Sequence, residues 1–143
     1  MKSIHQAMAM SFLILMLAAS SVFAQAERRV AVDIPFQFTV GEKTLPAGEY
    51  TIEPNRRDSE LVWVLRAANG DNATMLVTNP IRANRPNETS KLVFRRYDEQ
   101  YFLAQVWKAG RDTGRELPVV GVEKALELAS LRMRNEYVVV ASK

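Results

Sequence analysis

Cysteine is absent from the 143 residues of this chain, and histidine occurs once, at His5. Without cysteine the chain cannot form disulfides, thiolate metal sites or cysteine nucleophiles, and it cannot carry the acylated cysteine of an exported lipoprotein. His5 lies in an N-terminal segment that we expect to be cleaved off. The mature domain would then have no imidazole for acid–base chemistry near neutral pH or for binding zinc, copper or iron. Its hydrophobic core alone must hold it folded.

Concentrated charge is also missing. The chain has 19 Lys and Arg against 16 Asp and Glu, a formal net charge of +3, and its longest basic runs are arginine pairs at 28–29, 56–57 and 95–96. Proteins that bind nucleic acid usually gather positive charge on one face, so we expect no nucleic-acid partner. Arg95 and Arg96 lie between two aromatic residues, which is compatible with stacking on a single strand. Cross-strand Arg–Tyr or Arg–acid pairs on a solvated sheet face are the role we expect for them.

The N-terminal segment has the features of a secretory signal peptide. Lys2 supplies a short positive region, residues 8–19 are apolar, and small residues lead to Ala24. The apolar run is shorter than the ~20 residues that cross a bilayer. We predict cleavage after Ala24, or after Ala26, which leaves one soluble β-rich domain over residues 25–143, without a membrane anchor, in the periplasm or outside the cell.

Most of the remaining chain has the pattern of short strands separated by turn signals. We predict strands at residues 29–40, 49–53, 61–66, 73–78, 91–97, 101–108 and 137–141. Residues 79–90 and 109–115 are predicted loops. In the strand at 101–108, alternation places Tyr101, Gln105 and Trp107 on one face.

A change of periodicity marks a single helix near the C-terminal end. Apolar residues follow helical spacing at Val122, Ala125, Leu126, Ala129 and Met133. These residues should face the core, which leaves the intervening acids on the solvated side. The fold class we predict is mainly β: one antiparallel β-sandwich or small β-barrel with one helix in the C-terminal region.

The stretch FTVGEKTLPAGEY, residues 38–50, combines two glycines and a proline within strand-like sequence. Residues 45–48, Leu-Pro-Ala-Gly, suit a tight turn, because proline presets φ at the second position and glycine accepts positive φ at the fourth. A phosphate-binding loop would need a helix directly afterwards. Glu-Tyr-Thr-Ile follows instead, which is strand-like, so we interpret the stretch as a turn of the sheet.

The candidate ligand-contacting residues are three large aromatics, Trp63, Tyr101 and Trp107. They could line a cavity for an apolar ligand or form a platform for a sugar. The alternative for Trp63 is the core, because its strand is apolar on both faces and a sheet protein without disulfides needs large aromatic side chains there. Tyr101 and Trp107 share a predicted face with the polar Gln105, and both roles stay open for them.

Carboxylates are the remaining acid–base groups. The close pairs are Asp58 with Glu60, Asp98 with Glu99, and Glu123 with Glu127. All fall in predicted loops or on the solvated helix side, where carboxyl pKa values stay ordinary and acids make weak catalysts. Asp71 and Asp112 lie in glycine-containing loops without a dense set of oxygen ligands for calcium. We therefore predict no catalytic, cofactor-binding or metal-binding residue, and no enzyme.

Two family resemblances rest on these motifs. Residues 34–52, IPFQFTVGEKTLPAGEYTI, together with KLVFRRY at 91–97 and FLAQVW at 102–107, resemble a family of small secreted proteins frequent in Acidobacteria. That resemblance covers about residues 32–128 and implies an exported β-protein without an assigned activity. Residues 45–52 are also similar to a turn-and-strand phrase of transthyretin-like and carboxypeptidase-regulatory β-sandwiches.

The sequence therefore predicts an exported, non-enzymatic β-domain that acts as a binding or structural module, with a cell-envelope partner or a small apolar ligand. The rival hypothesis is a β-barrel carrier of a small apolar ligand. A carrier should have an enclosed cavity of several hundred Å³, lined by Trp63, Phe102 or Trp107, with the helix closing one side.

Overall fold

The computed structural model describes residues 29–55, 60–70, 73–129 and 136–142, which form eleven strands and one helix. The strands are β1 (Val30–Ile34), β2 (Phe38–Val40), β3 (Lys43–Leu45), β4 (Gly48–Pro54), β5 (Val62–Ala67), β6 (Ala73–Val77), β7 (Asn79–Arg82), β8 (Lys91–Tyr97), β9 (Gln100–Trp107), β10 (Thr113–Glu116) and β11 (Glu136–Ala141). The helix is α1 (Gly121–Ala129). The predicted signal peptide lies outside the described residues, as do Arg28, Arg56, Arg57, Asp58, Asp71 and Met133.

The strands form two sheets. Sheet A has the order β1-β4-β5-β6, and sheet B has the order β11-β8-β9-β10-β7, with β2 paired to both β3 and β9. Pairing between these strands is antiparallel except for one parallel bridge between Thr39 of β2 and Phe102 of β9. Each sheet has two different end strands among the described residues, so the fold is a β-sandwich and not a closed barrel.

The core lies between the sheets and consists of the inward side chains of both. Its centre includes Ile34, Ile52 and Leu92, each 0% exposed. Phe38 packs edge-on against Tyr50 and Phe94, with ring centroids 5.1 and 5.5 Å apart. Burial of such side chains contributes about 1.5–3 kcal/mol each, and this is the stabilisation that a domain without disulfides depends on.

Two proline-containing segments carry the chain from one sheet to the other. Pro35 follows β1 of sheet A and precedes β2 of sheet B. Pro46 lies between β3 of sheet B and β4 of sheet A, and the hydroxyl of Tyr50 donates a hydrogen bond to its carbonyl at 2.7 Å. Gly48 starts β4 with φ at +153°. The predicted change of direction at residues 45–48 is present as a bend at Ala47, and it connects the two sheets.

Two predicted loops contain strands, so that prediction was wrong in part. β7 and β10 pair with each other at one end of sheet B. Pro80 is tolerated in β7 because it is an edge strand, where a missing N–H breaks no ladder. Among the residues that the structure describes, no helix is long and apolar enough to cross a membrane.

Candidate functional site

A β-bulge in β9 separates the predicted ligand-contacting residues Tyr101 and Trp107. The pairing of β8 with β9 shifts between Val93 and Phe94, which leaves Ala104 as an extra residue in β9. Tyr101 consequently packs against the core, while Trp107 lies on the outer face of sheet B. The prediction that the two aromatics share a face was wrong, because the strict alternation on which it rested is interrupted by one residue.

Trp63 lies in the core at 7% exposure. Its indole N–H donates to the carbonyl oxygen of Glu60 at 3.1 Å. The ammonium of Lys108 lies 5.5 Å from the centre of its ring. Both the polar and the apolar parts of Trp63 therefore have partners within the protein.

Tyr101 is half-buried and stacks on Phe36, with ring centroids 4.0 Å apart and an interplanar angle of 17°. The guanidinium of Arg96, directly opposite on β8, lies 5.6 Å from its ring centre. Arg96 also forms ion pairs with Glu99 at 3.4 Å and Glu136 at 3.3 Å. The predicted Arg–Tyr and Arg–acid pairs are confirmed for Arg96.

Trp107 is buried on the outer face of sheet B, where its ring lies over Gly114 of β10. Its indole N–H donates to Gln105 Oε1 at 2.9 Å. Gln105 in turn donates to Glu116 Oε1 at 3.2 Å. Trp107 is thus fixed by its own strand and by β10. The structure does not bring Trp63, Tyr101 and Trp107 together into one site.

A surface depression of about 430 Å³ lies along residues 83–91. It is open to solvent and polar, and its lining includes Arg85, Asn87 and Lys91. None of the predicted aromatics lines it. The depression does not match the enclosed aromatic cavity expected of a carrier.

The outer face of sheet B also holds a buried ion pair that the sequence prediction missed. Arg95 Nε donates to Glu123 Oε1 of α1 at 2.6 Å, and Arg95 Nη2 donates to the carbonyl of Leu117 at 3.1 Å. The two charged side chains are 8% and 6% exposed. Burial raises the pKa of Glu123, against the opposing effect of its hydrogen bond and charge interaction with Arg95. Glu123 was predicted to be solvated with an ordinary pKa, and Arg95 to lie on a solvated face; both predictions were wrong.

Tyr97 lies beside this ion pair. Its ring packs edge-on against Phe102 at 5.7 Å. Its hydroxyl is buried without a hydrogen-bond partner among the described residues. Desolvation raises the pKa of Tyr97, and the charge of Glu123 raises it further. Because Glu127 and Tyr137 also affect this group electrostatically, the acidic side of α1 and the start of β11 both lie near Tyr97.

The orientation of α1 differs from the predicted one. Glu123 faces the sheet at 5% exposure, and Val122 and Leu128 are 67% and 62% exposed. Of the other residues predicted to face the core, Ala125 and Ala129 are exposed and Leu126 is half-buried. The reason is Arg95: an unpaired guanidinium buried in a sheet costs more free energy than leaving two aliphatic side chains in water. An arginine within the apolar strand KLVFRRY was the signal in the sequence that could have indicated this arrangement.

The consequence is an exposed apolar surface formed by α1, the residue before it and β11. We call it the α1–β11 surface. Its members are the exposed large apolar side chains of this region, namely Val120, Val122, Leu128, Tyr137 and Val139. Tyr137 lies opposite Arg95 in the pairing of β11 with β8, and Arg95 binds Glu123 of α1, so both elements neighbour the buried ion pair.

Comparison with protein-family models, with curated proteins and with solved structures found no match to this chain. Within residues 29–55, 60–70, 73–129 and 136–142, no cluster of three or more acidic, histidine or cysteine side chains could hold a metal ion.

Proposed function

We propose that this protein is an exported, non-enzymatic binding or structural module of the periplasm or extracellular space, and that it binds through the α1–β11 surface. Export is inferred from the signal-peptide features of residues 1–24, and the resemblance to small secreted acidobacterial proteins is part of the same proposal. The observation that carries the binding role is the exposure of Val122 and Leu128 on α1 beside the exposed residues of β11.

The distribution of exposed apolar side chains supports this choice of surface. Of the eight large apolar side chains exposed in the described residues, five belong to the α1–β11 surface. Single exposed aliphatic residues are common on soluble proteins, whereas contiguous groups mark interaction sites. The others, including Met75 and Val77, lie elsewhere, on or beside sheet A.

A catalytic role has less support. Glu123 is the one buried carboxylate among the described residues, and Arg95 holds it at 2.6 Å. A general acid or base must reach a substrate, and this carboxylate side chain is 6% exposed between α1 and sheet B. A carrier role is also less favoured, because Trp63 and Trp107 already have partners. Native mass spectrometry of freshly purified protein tests that rival, since a co-purifying apolar molecule would support it.

Cell fractionation tests the export part of the proposal. The full chain, expressed in a bacterial host, should appear in the periplasm or medium with a mass that corresponds to a start at Gln25 or Glu27. Retention of the intact chain in the cytoplasm would refute export.

Retention on isolated cell envelopes tests the surface. We expect the mature protein and the control variant Met75→Ser to be retained, and the double variant Val122→Ser/Leu128→Ser to be washed off. All three proteins should have the same circular dichroism spectrum, because the substituted side chains are exposed. Equal retention of the double variant would show that binding uses another face.

A further inference from the structure

The free edge of β11 has a geometry that suits a second copy of itself. β11 is the end strand of sheet B, and no other described strand is hydrogen-bonded to its far side. β1 of sheet A approaches β11 across the core but does not pair with it. An unpaired strand edge presents a row of N–H and C=O groups that can bind another strand.

The pairing of β11 with β8 determines which groups face that edge. Ser142 N donates to the carbonyl of Ser90 at 2.8 Å, in register with the rest of the ladder. In an antiparallel pair, hydrogen-bonded and non-hydrogen-bonded positions alternate. Val138 and Val140 therefore point their backbone groups toward β8. Tyr137, Val139 and Ala141 point theirs toward the free edge.

These three residues are self-complementary about Val139. If two β11 strands pair antiparallel around a two-fold axis at Val139, Tyr137 of one copy lies opposite Ala141 of the other, and the two Val139 residues lie opposite each other. Every edge-facing N–H and C=O of the three residues then has a partner. On the outer face, a large side chain lies beside a small one.

Charge favours the same register. Glu136 is the one charged residue of β11, and in the register about Val139 it lies opposite Ser142 of the other copy. The two Glu136 carboxylates are then separated by about 20 Å, six residues at roughly 3.4 Å each. A register centred on Tyr137 would bring them to about 7 Å on the same basis, where like charges repel.

The end strands β7 and β6 are less suited. β7 contains Pro80 and Arg82, which discourage pairing. β6, like β11, is an end strand with one unpaired edge among the described strands, but it is shorter and lacks an adjoining apolar helix. On β11, Tyr137 and Val139 are exposed, and Tyr137 lies opposite Arg95, the partner of Glu123 on α1. We propose that two copies of this chain associate through β11, antiparallel about a two-fold axis at Val139. The inference rests on the proposed function, because it names the partner for the β11 part of the α1–β11 surface.

Sedimentation of the mature protein over a concentration series tests the association. We expect a monomer–dimer equilibrium for the wild-type protein and for Val139→Thr, which keeps the shape and the N–H of the residue. Val139→Lys places two like charges side by side at the axis, within about 5.5 Å between Cβ atoms. It should raise the dimer dissociation constant at least tenfold. Val139 is 56% exposed, so the monomer should tolerate lysine and keep its circular dichroism spectrum.

Mixing two oppositely charged variants of Val139 tests the two-fold pairing more directly than sedimentation does. Val139→Glu should also be monomeric alone, and an equimolar mixture of the Lys and Glu variants should form mixed dimers, which native mass spectrometry resolves by mass. Met75→Lys is the matched control on β6 and should dimerise like the wild-type protein. Three results would overturn the inference. The wild-type protein could be a monomer at every concentration, the dimer could be lost in Met75→Lys but kept in Val139→Lys, or the mixture could contain no mixed dimers.

These failures differ from a failure of the proposed function. A monomer that still binds envelopes through Val122 and Leu128 removes the second copy as partner and keeps the binding module. A dimer that does not bind envelopes keeps the second copy as partner and removes the envelope-binding role.

Discussion

At the scale of single residues, two close contacts on the outer face of sheet B determine local structure. The ring of Trp107 fills the space where Gly114 has no side chain, and a Cβ at Gly114 would lie 2.5 Å from Trp107 Cε3. The buried guanidinium of Arg95 binds the carboxylate of Glu123 at 2.6 Å. In both pairs the position of one side chain depends on the identity of the other residue.

We expect Gly114→Ala to destabilise the protein by about 1–3 kcal/mol, because the added methyl group displaces a buried ring. Urea unfolding followed by circular dichroism measures the loss. The double variant Gly114→Ala/Trp107→Leu should show less loss than the sum of the single variants, since the smaller side chain removes the overlap. Additive losses would mean that the ring is not what excludes the methyl group.

At the scale of elements, α1 is held mainly by a polar contact, and this makes its docking separable from the folding of the sheets. We expect Glu123→Ala to abolish the hydrogen-exchange protection of α1 amides while the amides of β5 and β8 keep theirs. Lys124→Ala, on the exposed side of the same helix, should change neither.

The double variant Arg95→Met/Glu123→Leu should restore protection of α1, because an apolar pair of similar volume can replace a buried ion pair. If β8 amides lost protection together with α1 in Glu123→Ala, the helix would belong to the same cooperative unit as the sheet. That result would contradict the separate docking of α1.

The elements that the sequence predicted correctly are those with strong alternation or a long apolar run, such as β5, β8 and β11. β7 and β10 were missed because four residues with Pro80 or Gly114 carry too little apolar pattern. The faces of β9 were wrong because one bulged residue, Ala104, reverses the alternation. The orientation of α1 was wrong because helical periodicity records apolar spacing only, whereas Arg95, distant in the sequence, decides which side is buried.

At the scale of the whole molecule, a chain without cysteine is held by one apolar core between two sheets. A second buried contact, the Arg95–Glu123 ion pair, lies between the outer face of sheet B and α1. That charge pair links stability to pH. Burial raises the pKa of Glu123 above its ordinary value of 4.5, so the folded protein binds this proton more tightly than the unfolded chain does. Stability from this group is therefore fully present below pH 4.5 and is lost as pH rises through the folded pKa.

The free energy of unfolding, measured by urea at a series of pH values for the wild-type protein and Glu123→Gln, isolates this contribution. Other carboxylates titrate in both proteins and cancel in the difference. The stability of the wild-type protein relative to Glu123→Gln should fall as pH rises from 4.5 and should level off above the folded pKa. The total fall should be about 1.4 kcal/mol for each unit by which the pKa is raised. A difference that rises with pH over this window would mean that Arg95 holds the carboxylate ionised more strongly than burial opposes it.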